Sequence, residues 1–138
     1  MTIILAADGS RFTRKAVAFL LKHKHWAYDD ANEIIVINVQ VRMTSRSLPK
    51  SVLAVHYKDV AEAVLKPIEL LLRRHKVANR SVWTTGYPAT EIVKLAKKER
   101  AQLIVMGTRG RSTLGRVFMG SVAQEVVSAS KVPVLLVK

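Results

Sequence analysis

Five short apolar runs, rich in β-branched residues and regularly spaced, most constrain what this chain can fold into. They are Thr2–Ala7 (TIILAA), Glu33–Val41 (EIIVINVQV), Arg80–Thr85 (RSVWTT), Gln102–Met106 (QLIVM) and Val132–Val137 (VPVLLV). Each has the length and composition of a buried strand. Between them lie segments of helical period, so strands and helices alternate along the chain. Continuously apolar strands separated by helices specify a parallel sheet covered on both faces. Right-handed crossovers then make it a doubly wound sheet. The 138 residues fit a single α/β domain spanning 1–138, and 49% apolar residues suffice for its core.

The predicted helices have recognisable ends. Ser10 is placed as N-cap of a helix carrying Ala16, Val17, Leu20 and Leu21 on one face. Arg42–Lys50 reads as a loop. A long helix is expected from about Ser51 to Lys76, kinked or divided at Pro67. Gly86-Tyr87-Pro88 turns the chain, with Pro88 in the first turn of a helix ending near Arg100. Val122, Ala123, Val126 and Val127 share a face of the last helix.

Ligands of doubly wound sheets bind beyond the carboxyl ends of the strands, where strand order reverses. Alternation leaves the order open. With order 3-2-1-4-5, the crevice lies between the first and fourth strands, flanked by Asp8–Ser10 and Gly107–Ser121 (GTRGRSTLGRVFMGS). Gly107, Gly110 and Gly120 remove Cβ atoms where backbone must approach a ligand or take positive φ. Free amides at the start of the last helix favour a phosphate. Thr108, Ser121, Arg109, Arg111 and Arg116 can add donors. A purely structural alternative exists, because Ser121 with Gln124 also fits a capping box. The stretch is neither a Walker A loop, which needs Lys-Ser/Thr after its last glycine, nor a dinucleotide fingerprint, whose three glycines AADGS lacks.

Gly107-x2-Gly110-x9-Gly120-Ser121 resembles the nucleotide-binding signature of the universal stress protein family. The resemblance spans the chain, through Asp8-x-Ser10, Gly86-x-Pro88, MGTRG and the terminal VPVLLV. It implies a five-stranded sheet of order 3-2-1-4-5 with the adenine nucleotide alpha hydrolase-like fold, a homodimer paired through the edge strand Val132–Val137, and ATP as ligand, with Mg or Mn held by its phosphates. By position, it places Asp8 at the adenosine with Ala6 and Ala7 beside it, and Val39 at the adenine. It places Met106 and Gly107 at the ribose, and Arg109, Gly110, Gly120, Ser121 and Val122 at the phosphates. Two departures stand out: Arg111–Met119 is unusually basic, and Tyr87 replaces a small polar residue.

Chemistry beyond binding is not indicated. There is no cysteine. His23, His25, His56 and His75 show no metal-ligand spacing and read as surface or helix-end residues, and Asp29-Asp30 reads as solvated loop charge. No nucleophile–base pair stands out, so at most slow ATP hydrolysis is expected, and the resemblance implies a nucleotide-dependent stress-response module. The absence of a long apolar run or a leader-like start leads us to expect a soluble, cytoplasmic protein. Lys and Arg outnumber Asp and Glu by 23 to 10, a net charge of +13. That field supports an alternative function, a basic module for nucleic acid or an acidic partner with a vestigial nucleotide site. Its candidate residues are Arg73, Arg74, Lys76 and Arg80, with Lys94, Lys97, Lys98 and Arg100. An anionic membrane ranks last, for want of an amphipathic basic terminus.

Overall fold

Strand side chains alternate between two helical layers, and that alternation builds the core. The computed structural model describes residues 1–23, 32–44, 47–110 and 118–138. Its strands are β1 (Thr2–Ala6), β2 (Glu33–Gln40), β3 (Asn79–Thr85), β4 (Leu103–Gly107) and β5 (Val134–Val137). The helices among the described residues are α1 (Arg11–Lys22), α2 (Lys50–Arg74), α3 (Pro88–Lys98) and α4 (Ser121–Ala129). All strand pairs are parallel and the order is 3-2-1-4-5, as the resemblance implied. Ile3, Leu5, Ile34, Val36 and Val105 pack with Ala16, Val17 and Leu20 of α1 and Ala61, Leu65 and Leu72 of α2. Ile4, Ile35, Ile37, Ile104 and Met106 face the opposite layer, against Ala89, Ile92 and Ala96 of α3 and Ala123 and Val126 of α4.

Several expected boundaries move, each for a local reason. The ladder places β4 one residue later than the apolar run, from Leu103 to Gly107. β5 begins at Val134, two residues after the run does. Pro133 has no N–H to donate, and Val132 is held in a tight loop by Ser130, whose Oγ accepts from its N–H at 3.0 Å. Pro67 does not divide α2, which runs unbroken through it with Pro67 exposed. The first helical turns of α2 contribute nothing to the core, since burial starts at Ala61.

Helices α2 and α3 end alike. Beyond the C-cap His75, Lys76 N–H bonds Arg73 O at 2.9 Å and Val77 N–H bonds Leu72 O at 3.0 Å. Beyond the C-cap Glu99, Arg100 N–H bonds Lys97 O at 3.2 Å and Ala101 N–H bonds Ala96 O at 2.9 Å. Both pairs form the Schellman pattern, whose left-handed residue is usually glycine. Here Lys76 (φ 57°) and Arg100 (φ 50°) occupy it. A side chain in that conformation costs about 1–2 kcal/mol.

Candidate functional site

The sheet splits at its centre, and the split makes the site. β1 pairs with β4 only over Ile3–Leu5 and Leu103–Val105. Past these residues β1 stays with β2 through Ala6↔Ile37, and β4 stays with β5 through Gly107↔Val137. A cleft of about 260 Å³ opens between the diverging ends.

One wall is the end of β2. Ala7 N–H bonds Ile37 O at 2.9 Å, so the peptide groups of Ile37 face β1. Strand groups alternate sides with period two, and the peptide groups of Val39 face the same way. The next rung of a parallel ladder would use the Ala7 carbonyl, but the buried Asn38 side chain takes it, Nδ2 to O at 2.8 Å. The ladder stops there, and the N–H and C=O of Val39 turn to the cleft. Apolar surface from Ile37, Val41, Pro88, Ile92 and Met106 surrounds them.

The floor is the turn from β1 into α1. Asp8 Oδ1 accepts from Ser10 N–H at 2.9 Å and from Thr13 Oγ1 at 2.8 Å, while Thr13 Oγ1 accepts from Asp8 N–H at 3.1 Å. Gly9 completes the turn at φ 78°. Asp8 is thus a turn residue that also lines the cleft. Ser10 caps α1 as expected, its Oγ accepting from Phe12 N–H at 3.2 Å and Thr13 N–H at 3.4 Å.

The far wall runs from Met106 to Gly110 and resumes at Gly120. Of the two reasons open for glycine here, positive φ does not apply, since among the described glycines only Gly9 and Gly86 adopt it. Close approach is the reason instead. A Cβ on Gly107 would lie 2.5 Å from Phe12 Cβ, so this glycine lets α1 seat against β4. A Cβ on Gly110 would lie 2.6 Å from Asp8 Oδ2, so this one brings the loop onto the cleft's carboxylate. The Arg109 guanidinium sits 5.6 Å from the centre of the Phe12 ring. The Thr108 hydroxyl is buried on this wall and has no hydrogen-bond partner among the described residues.

The start of α4 closes the site. The alternative capping box of Ser121 with Gln124 does not form. The N-cap is Gly120, one residue earlier than a Ser121 cap requires, and Gln124 Nε2 donates to Met119 O at 3.1 Å instead. A glycine cap has no side-chain acceptor, so the first amides of α4 are left to the cleft. Gly120 itself is anchored through N–H to Thr108 O at 2.7 Å.

The structure therefore brings together the positions that the resemblance placed around the nucleotide: Ala6, Ala7, Asp8 and Val39 on one side, Met106, Gly107, Arg109 and Gly110 on the other, and Gly120, Ser121 and Val122 at the helix start. Arg111 and Arg116 lie outside the described residues, as do His25, Asp29 and Asp30. Thr13, Ile37, Val41, Pro88, Ile92 and Ala123 also line the cleft and were not anticipated. Tyr87, the N-cap of α3, is 79% exposed. Of the described histidines, His23 closes α1 with Nδ1 2.9 Å from Phe19 O, and His56 and His75 are exposed, all outside the cleft. No three acidic or histidine side chains converge among the described residues. A wider hollow of about 830 Å³ lies beyond Val41, against Tyr57 and Trp83, and has no glycine in its walls. No helix among the described residues is long and apolar enough to cross a membrane.

Known proteins share this architecture and sequence. A universal stress protein of Thermus aquaticus is 32% identical, the alignment covering 99% of this chain and 98% of that protein. MJ0531 of Methanocaldococcus jannaschii is 40% identical over 81 residues, which are 59% of this chain and 48% of that protein. Among solved structures, MJ0577 of the same organism superposes with a TM-score of 0.85 at 26% identity, covering 99% of this chain and 94% of that one. A universal stress protein in complex with cAMP superposes with a TM-score of 0.63 at 25% identity, covering 100% of this chain and 97% of that one. The profile of the universal stress protein family matches residues 1–138. With its sheet of order 3-2-1-4-5 and this match over its whole length, the chain belongs to the universal stress protein family.

Proposed function

We propose that this protein binds ATP in the cleft between β1 and β4 and acts as a dimeric, nucleotide-dependent signalling module. One juxtaposition carries the reading: the strand-edge peptide groups of Val39 face a glycine-capped helix start across a cleft of about 260 Å³. The Val39 N–H and C=O offer the donor–acceptor pair that an adenine edge requires, between apolar walls. Asp8 accepts from ribose hydroxyls, a better role than facing bare phosphate, which would repel it. The phosphates extend toward Gly110, Arg109 and the amides of Ser121 and Val122, with the Thr108 hydroxyl as a further donor. Among the described residues Asp8 is the single carboxylate lining the cleft, so Mg or Mn is held by phosphate oxygens rather than by a protein cage. With its Oδ1 already engaged and no histidine beside it among the described residues, the site binds and at most hydrolyses slowly. Occupation by the triphosphate alters the surface around Gly110 and Gly120, and this is the signal a partner reads. The complex of a related protein with cAMP supports an adenine nucleotide as the ligand class.

Calorimetric titration of nucleotide-stripped protein tests this. We expect saturable binding of Mg-ATP at one site per chain, AMP weaker by about tenfold or more, and loss of ATP binding in a folded Gly120→Val variant. Absence of ATP binding by the folded, stripped wild type would refute the proposal.

A further inference from the structure

We propose that the end of the molecule opposite the cleft is a docking surface for the phosphate backbone of double-stranded nucleic acid. In a parallel sheet every strand starts at the same end, and the carboxyl ends of the preceding helices gather there. α2 finishes on Arg73 and Arg74, followed by Lys76. α3 finishes on Lys97 and Lys98, followed by Arg100. Lys22 closes α1 and Lys131 precedes β5. All these side chains are exposed. The acidic side chains described at this end are Glu33 and Glu99, and both are engaged by Arg80, at 3.2 and 2.7 Å. The two basic clusters that are separate in sequence thus form one surface, and it shares no residue with the cleft.

Helix dipoles favour cations in a last turn, and they account for part of this pattern. They do not account for Lys76 and Arg100. Both stand beyond the helix end, in the left-handed position where glycine is unstrained. The backbone motif needs no side chain there, yet both positions carry a long cation. Strain kept at an exposed position points to what the side chain does rather than to the fold.

The layout suits a duplex. β3 and β4, which these residues lead into, are separated by β2 and β1, so their starts lie about 14 Å apart at the usual strand spacing. That span equals about four base-pair steps of 3.4 Å, a regular row of phosphates. Guanidinium groups from Arg73, Arg74 and Arg100 match phosphate oxygens in pairs. The surface consists of helix ends and turns, with no helix or ribbon of the described residues projecting to enter a groove. Contacts are therefore to the backbone and independent of base sequence.

Fluorescence anisotropy of a labelled 20-base-pair duplex, titrated with the full chain between 50 and 200 mM salt, tests the proposal. With about four phosphates neutralised, log affinity falls with log salt at a slope of about −3.6. Arg73→Gln with Arg74→Gln reduces the slope by about 1.8, whereas Lys58→Gln, on the flank of α2, leaves it unchanged. Arg100→Gly reduces the slope by about 0.9 while raising the melting temperature by about 2–4 °C, since it removes backbone strain together with charge. No saturable duplex binding at 50 mM salt would overturn the proposal, as would equal slopes for wild type and the arginine variants. So would a lower melting temperature for Arg100→Gly. Binding of polyglutamate but not of duplex would instead assign the surface to an acidic protein.

Discussion

Gly107 and Gly110 belong to one motif but serve different ends, and alanine at each separates them. At Gly107 the new methyl would meet Phe12 Cβ at 2.5 Å, with Phe12 C and O at 3.1 and 3.2 Å. Turning the ring cannot relieve this, because the clash is with Cβ and backbone. The start of α1 must retreat by roughly 1 Å, and its first two turns carry Phe12, Thr13 and Ala16, all buried. Overpacking of this kind costs about 1–3 kcal/mol, and the backbone contacts place Gly107→Ala near 3. For a domain of this size that lowers the melting temperature by about 10 °C. At Gly110 the methyl would meet a carboxylate oxygen, Asp8 Oδ2, at 2.6 Å, with the carboxyl carbon already at 3.9 Å. Displacing it disturbs the cleft rather than the core, so Gly110→Ala melts within about 3 °C of wild type. If the cleft binds ATP as proposed, the affinity of this variant falls by about tenfold or more. Thermal unfolding by circular dichroism, with ATP titration of both variants, reads the two effects apart. A Gly107→Ala protein as stable as wild type would refute the seating of α1 against β4. A Gly110→Ala protein with wild-type affinity would refute the close approach of this loop to the nucleotide.

Two further outcomes follow from named contacts. Ser10→Ala removes the acceptor of the Phe12 and Thr13 amides at a buried helix start, and costs about 1–2 kcal/mol in urea unfolding. In β5 the carbonyls of Pro133 and Val137 bond Ile104 and Thr108, so by the period of two Leu136 presents its peptide groups to the open edge. If the proposed dimer pairs through that edge, Leu136→Pro sediments as a monomer at concentrations where wild type is a dimer. A monomeric wild type, or a variant that stays dimeric, would count against edge pairing.

The class of fold was legible because a buried strand between helices leaves an unambiguous apolar run. Strand ends were less so. Whether Val132 belongs to β5 depends on a proline and on where the Ser130 side chain points, and neither is a matter of hydropathy. The glycine motif located the site, yet its reasons were hidden. Phe12 explains Gly107 and Asp8 explains Gly110, each from the other side of the sheet's split. The capping box failed by one residue, because the cap is set by backbone conformation and Gly120 adopts it first. Thr13, Pro88 and Ile92 reach the cleft only through tertiary packing, and no local signal marks them. Asn38 was equally silent, although its side chain ends the ladder that would otherwise close over Val39.

The split also has a kinetic meaning. β1 can join β2 while the chain is short, but its pairing with β4 joins segments a hundred positions apart, as in the bond from Thr2 N–H to Gln102 Oε1. Loop closure of that length is slow, so the β1–β4 seam is among the last contacts to form. We therefore predict that a cleft straddling this seam forms only after the rate-limiting step, so that substitutions along it change the unfolding rate and not the folding rate. Whatever bridges Asp8 and Gly110 therefore acts as a late clasp: it slows the opening of the folded protein and leaves the rate of folding unchanged.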